Sequence, residues 1–471
     1  MPSRPATVRY LGLFGAICCA VDGILFGAPT WIRQGVSVLS VLRGPNGFLI
    51  MALWIAGLTA LCTAWWCGRR LDPAPRWILV TAGLWILPML VIPPLASRDV
   101  YAYACQGALY GAGLNPSAVG VSAQPCPWIE SVSVVWRDTP TPYGPLWIML
   151  TGLAATFGSQ AAALAIFRAY AVLAVVALAA AVPVLARRRK VPVGRALWLV
   201  LCCPIVSVHV VGGGHNDALA MALLVAGLAL ITGSARPAGA LAGGGALIGA
   251  AIGVKTIVGV VLPFAALLAA GGLELSRVGV ARFARRGGAV VGGTGAALVV
   301  LSLVSGLGFG WVVALSGAGE SRSWTSPPTA VGIAVNSAAQ WFGVHIDVVP
   351  PIRAAALGLL GIALVAIWLR FRRGDPLAGA ALACLAVICL APITQPWYLF
   401  WPLTLFAVTV VATRWLEVTI IASMFLILPN GDGAWKPLQV PLAILVTGLF
   451  GWAAWRSWRW LRQPVPTGVT T

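Results

Sequence analysis

Asp99, in Ser97-Arg98-Asp99-Val100-Tyr101, is a carboxylate set directly after an apolar run in a chain with only 12 acidic residues among 471. Ionised groups beside hydrocarbon are costly, and those that persist there line a cavity, pair with a partner or do chemical work. The plainer alternative is a solvated helix cap at a loop entrance. Three other polar clusters break the apolar sequence in a similar way: His215-Asn216-Asp217, Lys255-Thr256 and Thr394-Gln395-Pro396-Trp397-Tyr398.

Each cluster suits a different task. Lysines are three of the 31 basic residues, and Lys255 sits between apolar segments, where a fixed cation either holds a phosphate or snorkels from a helix end. Gly212-Gly213-Gly214 lets a backbone approach a ligand closely, and Asn216 or Asp217 suits the cap of the helix that follows. His215 and Asp217 offer two ligands to a divalent cation but define no third, so a metal is left open. His209 is expected to pack within its span, and His345 stands alone. The Gln395-Pro396-Trp397-Tyr398 cluster joins an amide to two aromatics, a composition fit for a sugar face, a lipid headgroup or an interfacial anchor. Arg168, Arg322 and Arg353 are additional cations suited to an anionic headgroup. Neither a Gly-x-x-x-x-Gly-Lys-Ser/Thr phosphate loop nor a Gly-x-Ser-x-Gly nucleophile motif is present.

The elements that must position these groups are membrane helices. The chain is 60% hydrophobic and 9% charged, with apolar runs recurring from end to end, which predicts an all-α polytopic membrane protein. About fourteen spans are expected, near residues 10–28, 47–67, 77–95, 162–186, 194–211, 217–233, 238–254, 256–271, 288–309, 351–369, 377–393, 397–413, 415–429 and 437–456. The first is read as a span, not a cleaved signal, because Asp22 interrupts it and no small-residue cleavage site follows. Pro145 to Phe157 is short and follows a turn-rich stretch, so it is expected to be re-entrant or interfacial.

The net charge of +19 does not imply nucleic acid, since the cations fall in short clusters between apolar runs, not in a basic domain. Arg69-Arg70, Arg187 to Lys190, Arg277 to Arg286, Arg370 to Arg373 and Arg456 to Arg462 mark cytoplasmic edges by the positive-inside rule. That orientation places all four polar clusters on the external side. Two long external loops follow, 96–144 and 310–350, both carrying tryptophan, and residues 99–107 read as a membrane-surface helix. Most of the cysteines pack as small hydrophobes, whereas Cys105 and Cys126 share the first loop, either as free thiols or as a disulfide.

At Ser97-Arg98-Asp99-Val100-Tyr101, Pro142-Tyr143-Gly144-Pro145-Leu146, Gly213-Gly214-His215-Asn216-Asp217 and Thr394-Gln395-Pro396-Trp397-Tyr398, the chain resembles the actinobacterial α-1,6-mannosyltransferases that use polyprenyl-phosphate mannose. These are multispanning GT-C glycosyltransferases, and the four motifs recur in register over most of the chain.

The resemblance implies a single GT-C-like domain over 1–471 with about 13–15 transmembrane helices, 96–144 being the catalytic loop and 310–350 the second long loop. It implies transfer of mannose from polyprenyl-phosphate mannose to an α-1,6-mannan glycolipid acceptor of lipomannan or lipoarabinomannan, outside the plasma membrane. Asp99 matches the acidic residue of the family's first external loop and would be the general base. Arg98, Tyr101, Tyr143, His215, Asn216, Asp217, Lys255, Gln395, Trp397 and Tyr398 are the expected substrate-binding residues, Lys255 and Arg98 being read from their charge and not from the family. No cofactor is fixed by this scheme; a divalent metal stays open, with Asp217 as a metal ligand or an acceptor-orienting group. The chain departs from a common GT-C pattern of two neighbouring loop acids, since Arg98 and Val100 flank Asp99, and this weighs against a metal at that motif. The rival expectations are a GT-C enzyme using another lipid-phosphate sugar, such as an arabinofuranosyl donor, and a flippase or transporter of polyprenyl-linked sugar.

Overall fold

The computed structural model describes residues 4–27, 35–71, 73–233, 236–315, 322–435 and 438–461. Residues 316–321 of the second long loop, and the side chains of the Arg456 to Arg462 cluster, lie outside the described set. Among the described residues helices dominate, and the one β-type pairing is an isolated bridge between Ile427 and Gly433. The protein is an all-α polytopic membrane protein, as its composition predicts.

In chain order the helices are α1 (Pro5–Phe26), α2 (Val38–Leu42), α3 (Gly47–Gly68), α4 (Pro75–Ile86), α5 (Asp99–Gly111), α6 (Pro145–Ala155), α7 (Gln160–Arg188), α8 (Val193–Leu201), α9 (Asp217–Ile231) and α10 (Ala238–Val254). They continue with α11 (Leu262–Ala270), α12 (Arg277–Val304), α13 (Gly310–Ala314), α14 (Pro327–Trp341), α15 (Val349–Phe371), α16 (Pro376–Leu390), α17 (Phe400–Phe406), α18 (Arg414–Met424) and α19 (Gln439–Leu461).

Length separates these helices into two kinds. Among the described residues, α1, α3, α7, α12 and α15 are long and apolar enough to cross a membrane, and α8 with the π-helical turn Val206–Gly212 forms a pair bent by 55°. Seven other apolar segments have 10–17 residues. The fourteen continuous spans expected from hydropathy are therefore not all continuous. Proline is the physical cause at several breaks, because it cannot donate the helical hydrogen bond and clashes with the preceding turn. Pro204 separates α8 from the π-helical turn, Pro263 opens α11 after a 3₁₀ stretch, and Pro396 opens the 3₁₀ turn before α17. The span expected over 397–413 is shorter as a helix, beginning in that 3₁₀ turn and with α17 ending at Phe406. At 11 residues, α6 is about 16 Å long, short of the roughly 30 Å hydrocarbon thickness.

The helix expected at the membrane surface forms over 99–111, but it does not lie on a surface. Residues 100–107 are all buried, and α5 packs along α6 inside the protein. Cys105 and Cys126 form a disulfide with Cα atoms 5.6 Å apart, tying α5 to the loop after it. The buried Arg168 of α7 fixes the start of this region. It donates to the carbonyls of Leu90 and Pro93 before α5 and to that of Gly212 before α9, so it serves backbone ends and not a lipid headgroup. Arg353 is likewise engaged within the protein, at Thr329 Oγ1 (2.9 Å), and Arg322 pairs with Asp347.

Candidate active site

Just before α5 the Ser97 hydroxyl accepts the Asp99 N–H at 3.1 Å. Asp99 is the first residue of the helix, and it lines a cavity. Residues at i, i+3, i+4 and i+7 share one helix face. On α5 these are Asp99, Ala102, Tyr103 and Gln106, and together they form one wall of a cavity of about 330 Å³.

A second wall comes from the stretch before α6. Gly144 packs so closely on Gly253 that a Cβ there would lie 2.6 Å from the Gly253 carbonyl oxygen. This contact joins the turn carrying Tyr143 to the end of α10, two residues before Lys255. The Tyr143 hydroxyl donates to that of Tyr103 at 3.3 Å, closing the two walls onto each other. The third wall is aromatic, with Trp397, Tyr398 and Trp401 around the break before α17 and Gln395 at its edge.

Lys255 enters at the break after α10. It is buried (8% exposed), and its Nζ donates to Asp217 Oδ1 at 2.7 Å and to Asn216 Oδ1 at 3.4 Å. The ammonium also lies 4.9 Å from the ring centre of Tyr398 and 5.2 Å from that of Trp401, within cation–π range. Trp401 Nε1 donates to the same Asp217 oxygen at 2.6 Å. Lys255 therefore does not snorkel. Two of its three donors are accounted for, and the residue lines the cavity. Asn216 and Asp217 do not cap α9 through their side chains, since both are turned to Lys255.

His215 stands behind Asp99, with Nδ1 3.5 Å from Asp99 Oδ2 and its ring stacked 4.0 Å from Trp397. Burial pushes its imidazole well below the usual histidine range, with His209 and Lys255 adding to the effect, so His215 is neutral. Burial also raises the Asp99 carboxyl, to about 6, with Lys255 opposing the rise and Asp217 adding to it. A carboxylate titrating near neutrality, beside a cation and a neutral imidazole, is suited to accept a proton from a hydroxyl. Asp217 Oδ1 accepts from both Lys255 and Trp401, while its Oδ2 is buried without a hydrogen-bond partner. Among the described residues no group of three His, Cys, Asp or Glu gathers to hold a metal.

Some expected residues lie elsewhere. Arg98 is not part of the cavity wall; its Nη1 reaches the Ser131 carbonyl at 3.4 Å, and Asp432 is its nearby charge. Tyr101 is off the lining face of α5 because it is two residues from Asp99, not three or four. The three glycines at 212–214 do not open the backbone to a ligand. Gly214 has φ +68° and a Cβ there would lie 2.4 Å from Val100 Cγ1, so the close approach is to α5. His209 is buried with its ring 5.2 Å from Trp397, packed under the site.

The lining residues not singled out from sequence include Tyr103, Gln106, Thr139, Thr141 and Trp401. Tyr103 and Gln106 follow from the i, i+4, i+7 spacing after Asp99, and Trp401 from the same spacing after Trp397. Thr139 and Thr141 carry no comparable signal.

Residues 9–271 match the family described as alpha-(1->6)-mannopyranosyltransferase, N-terminal domain, and residues 328–456 match the MptB C-terminal domain. The first region holds Asp99, Tyr143, His215 and Lys255, and the second holds Gln395 to Tyr398, so the cavity is built from both. The chain is 30% identical to alpha-(1->6)-mannopyranosyltransferase A of Mycobacterium tuberculosis over 86% of its length and 80% of that protein. It is 29% identical to a probable alpha-(1->6)-mannopyranosyltransferase of Mycolicibacterium smegmatis, over 94% of its length and 86% of that protein. Against alpha-(1->6)-mannopyranosyltransferase B of Corynebacterium glutamicum the identity is 27%, over 95% of the chain and 80% of the relative. No solved structure gives a significant match.

Proposed function

The chain belongs to the alpha-(1->6)-mannopyranosyltransferase family, and from that membership we propose that it transfers mannose from polyprenyl-phosphate mannose to an α-1,6-mannan glycolipid acceptor, with inversion and with Asp99 as general base. In this reaction the acceptor hydroxyl oxygen attacks the anomeric carbon, the bond from that carbon to the phosphate oxygen breaks with its electrons leaving on phosphate, and the hydroxyl proton passes to Asp99. A β-linked donor that yields an α-mannoside by one displacement needs one base. The leaving phosphate needs a cation in place of a strong acid, a role that falls to Lys255.

The observation that carries the proposal is that Asp99 and Lys255 face one cavity, one wall of which is aromatic. Tyr143, Trp397 and Tyr398 suit the apolar face of a pyranose, and Leu357, Val387 and Ile388 on α15 and α16 give the same cavity an apolar flank for a lipid-linked donor. His215 orients the Asp99 carboxylate, while Asn216 and Asp217 hold Lys255. Arg98 and Tyr101 act at most through the position of α5. The positive-inside rule puts Arg69-Arg70 and Arg187 to Lys190 in the cytoplasm and the cavity on the outer side of the plasma membrane. In this arrangement 1–471 works as one transmembrane unit, with 96–144 as its catalytic loop and 310–350 as a second external loop.

The test supplies membranes containing the protein with labelled polyprenyl-phosphate mannose, polyprenyl-phosphate arabinose or a nucleotide-linked mannose, each with a synthetic α-1,6-dimannoside. The expected result is label in an α-linked trimannoside from the lipid-phosphate mannose alone. Transfer from the arabinose donor, or none from the mannose lipid, would overturn it.

A further inference from the structure

Among the described residues, two buried side-chain oxygens of the cavity-lining residues have no hydrogen-bond partner. Gln106 is 5% exposed with no hydrogen bond at Oε1, and Thr141 is 2% exposed with none at Oγ1. Both line the cavity that holds Asp99. A buried amide oxygen or hydroxyl without a partner destabilises a fold, and such groups are normally satisfied by protein, water or ligand. Here the residues that carry these groups line space that a ligand can enter.

Their placement selects which ligand. The charged residues lining the cavity are Asp99 and Lys255, and the cation belongs to the wall formed by the break after α10. The α5 wall beyond Asp99 carries no formal charge, and the loop wall supplies Thr139 and Thr141. Gln106 lies seven residues from Asp99 on one helix face, about 10 Å along the axis. That distance fits a sugar unit with one hydroxyl at Asp99 and the rest of its ring, or the next ring, toward Gln106. An anionic donor is drawn to Lys255, whereas a neutral polyhydroxylated group is matched by an amide and a hydroxyl.

We propose that Gln106 and Thr141 form the acceptor subsite, hydrogen-bonding ring hydroxyls of a neutral hexopyranose whose reacting hydroxyl is presented to Asp99. This assignment rests on the mannosyl-transfer reading above. Gln106 binds through its amide, and Thr141 through a hydroxyl that both donates and accepts. The subsite sets acceptor affinity, and the donor is held at the wall that carries Lys255.

The experiment compares the purified protein with Gln106→Ala, Thr141→Val and Thr141→Ser variants. It measures KM for the α-1,6-dimannoside and for polyprenyl-phosphate mannose separately, and binding of the dimannoside in the absence of donor. A neutral hydrogen bond is worth about a tenfold change in affinity. Gln106→Ala and Thr141→Val should each raise the dimannoside KM and weaken its binding by about fivefold to tenfold, with donor KM changed by less than about twofold. Thr141→Ser, which keeps the hydroxyl, should stay near the parent protein and so separates loss of a bond from loss of folding. Equal changes in both KM values, or an unchanged dimannoside affinity, would overturn the subsite. A parent protein that binds the dimannoside through Gln106 yet transfers no mannose would leave the subsite standing and remove the transfer reading instead.

Discussion

Lys255 Nζ and Asp217 Oδ1 meet at 2.7 Å in the interior, joining the break after α10 to the first residue of α9. The pair carries two roles at once, since it neutralises the buried Asp217 and fixes the ammonium at the cavity. Removing one partner of a buried pair costs about 3–5 kcal/mol because the other charge is left uncompensated. Lys255→Met is therefore expected to destabilise the protein by that order and to abolish transfer. Lys255→Met combined with Asp217→Asn is expected to regain most of the stability and none of the activity. Thermal unfolding and mannose transfer on the same detergent-solubilised samples check both halves.

The raised pKa of Asp99 sets a pH dependence with a definite sign. A general base works ionised, so activity is present above the folded pKa and lost as pH falls through it. With Asp99 at about 6, kcat/KM should show an acid limb with its midpoint near pH 6, falling about tenfold per unit below that. Burial holds the His215 imidazole well below the usual histidine range, so the limb is assigned to the carboxylate. A profile flat down to pH 5 would remove Asp99 from this role.

Gly214 makes a structural prediction at the same site. Its φ of +68° disfavours any side chain, and an added Cβ would strike Val100 in the first turn of α5. Gly214→Ala should cost about 2 kcal/mol or more from the backbone strain and the clash. It should also lower activity, because the displaced elements carry His215 and Asp99. The unfolding midpoint and the transfer rate measured together check this.

Asp99, His215, Lys255 and Tyr398 were legible in sequence because a polar group between apolar runs is costly enough to need a reason. The convergence of Asp99, Lys255 and Tyr398 on one cavity, with His215 behind Asp99, depends on helix breaks that hydropathy averages over. Pro204 and Pro263 each sit inside an expected span, and the apolar run around each hides the break that it creates. Arg98 misled for a different reason. Charge beside Asp99 suggested a phosphate ligand, but adjacent helix residues point in different directions, and Arg98 faces the Ser131 carbonyl. Lys255 was recognised as a fixed cation, while its partner across 38 residues was fixed only by tertiary packing. Thr141 gave no signal, since one threonine in a turn-rich loop resembles any other until the cavity is seen.

The central claim is that the Asp99 carboxylate removes the proton from the acceptor hydroxyl, and Asp99→Asn tests it most directly. Asparagine keeps the size and loses the base. It also spares the fold a poorly solvated charge that the parent protein carries above pH 6, so the variant should unfold at a temperature equal to or above that of the parent at pH 7.5. In membranes supplied with labelled polyprenyl-phosphate mannose and the α-1,6-dimannoside, Asp99→Asn should transfer at least about a hundredfold more slowly, in keeping with the loss of a general base. Near-parental turnover by a folded Asp99→Asn protein would contradict the account.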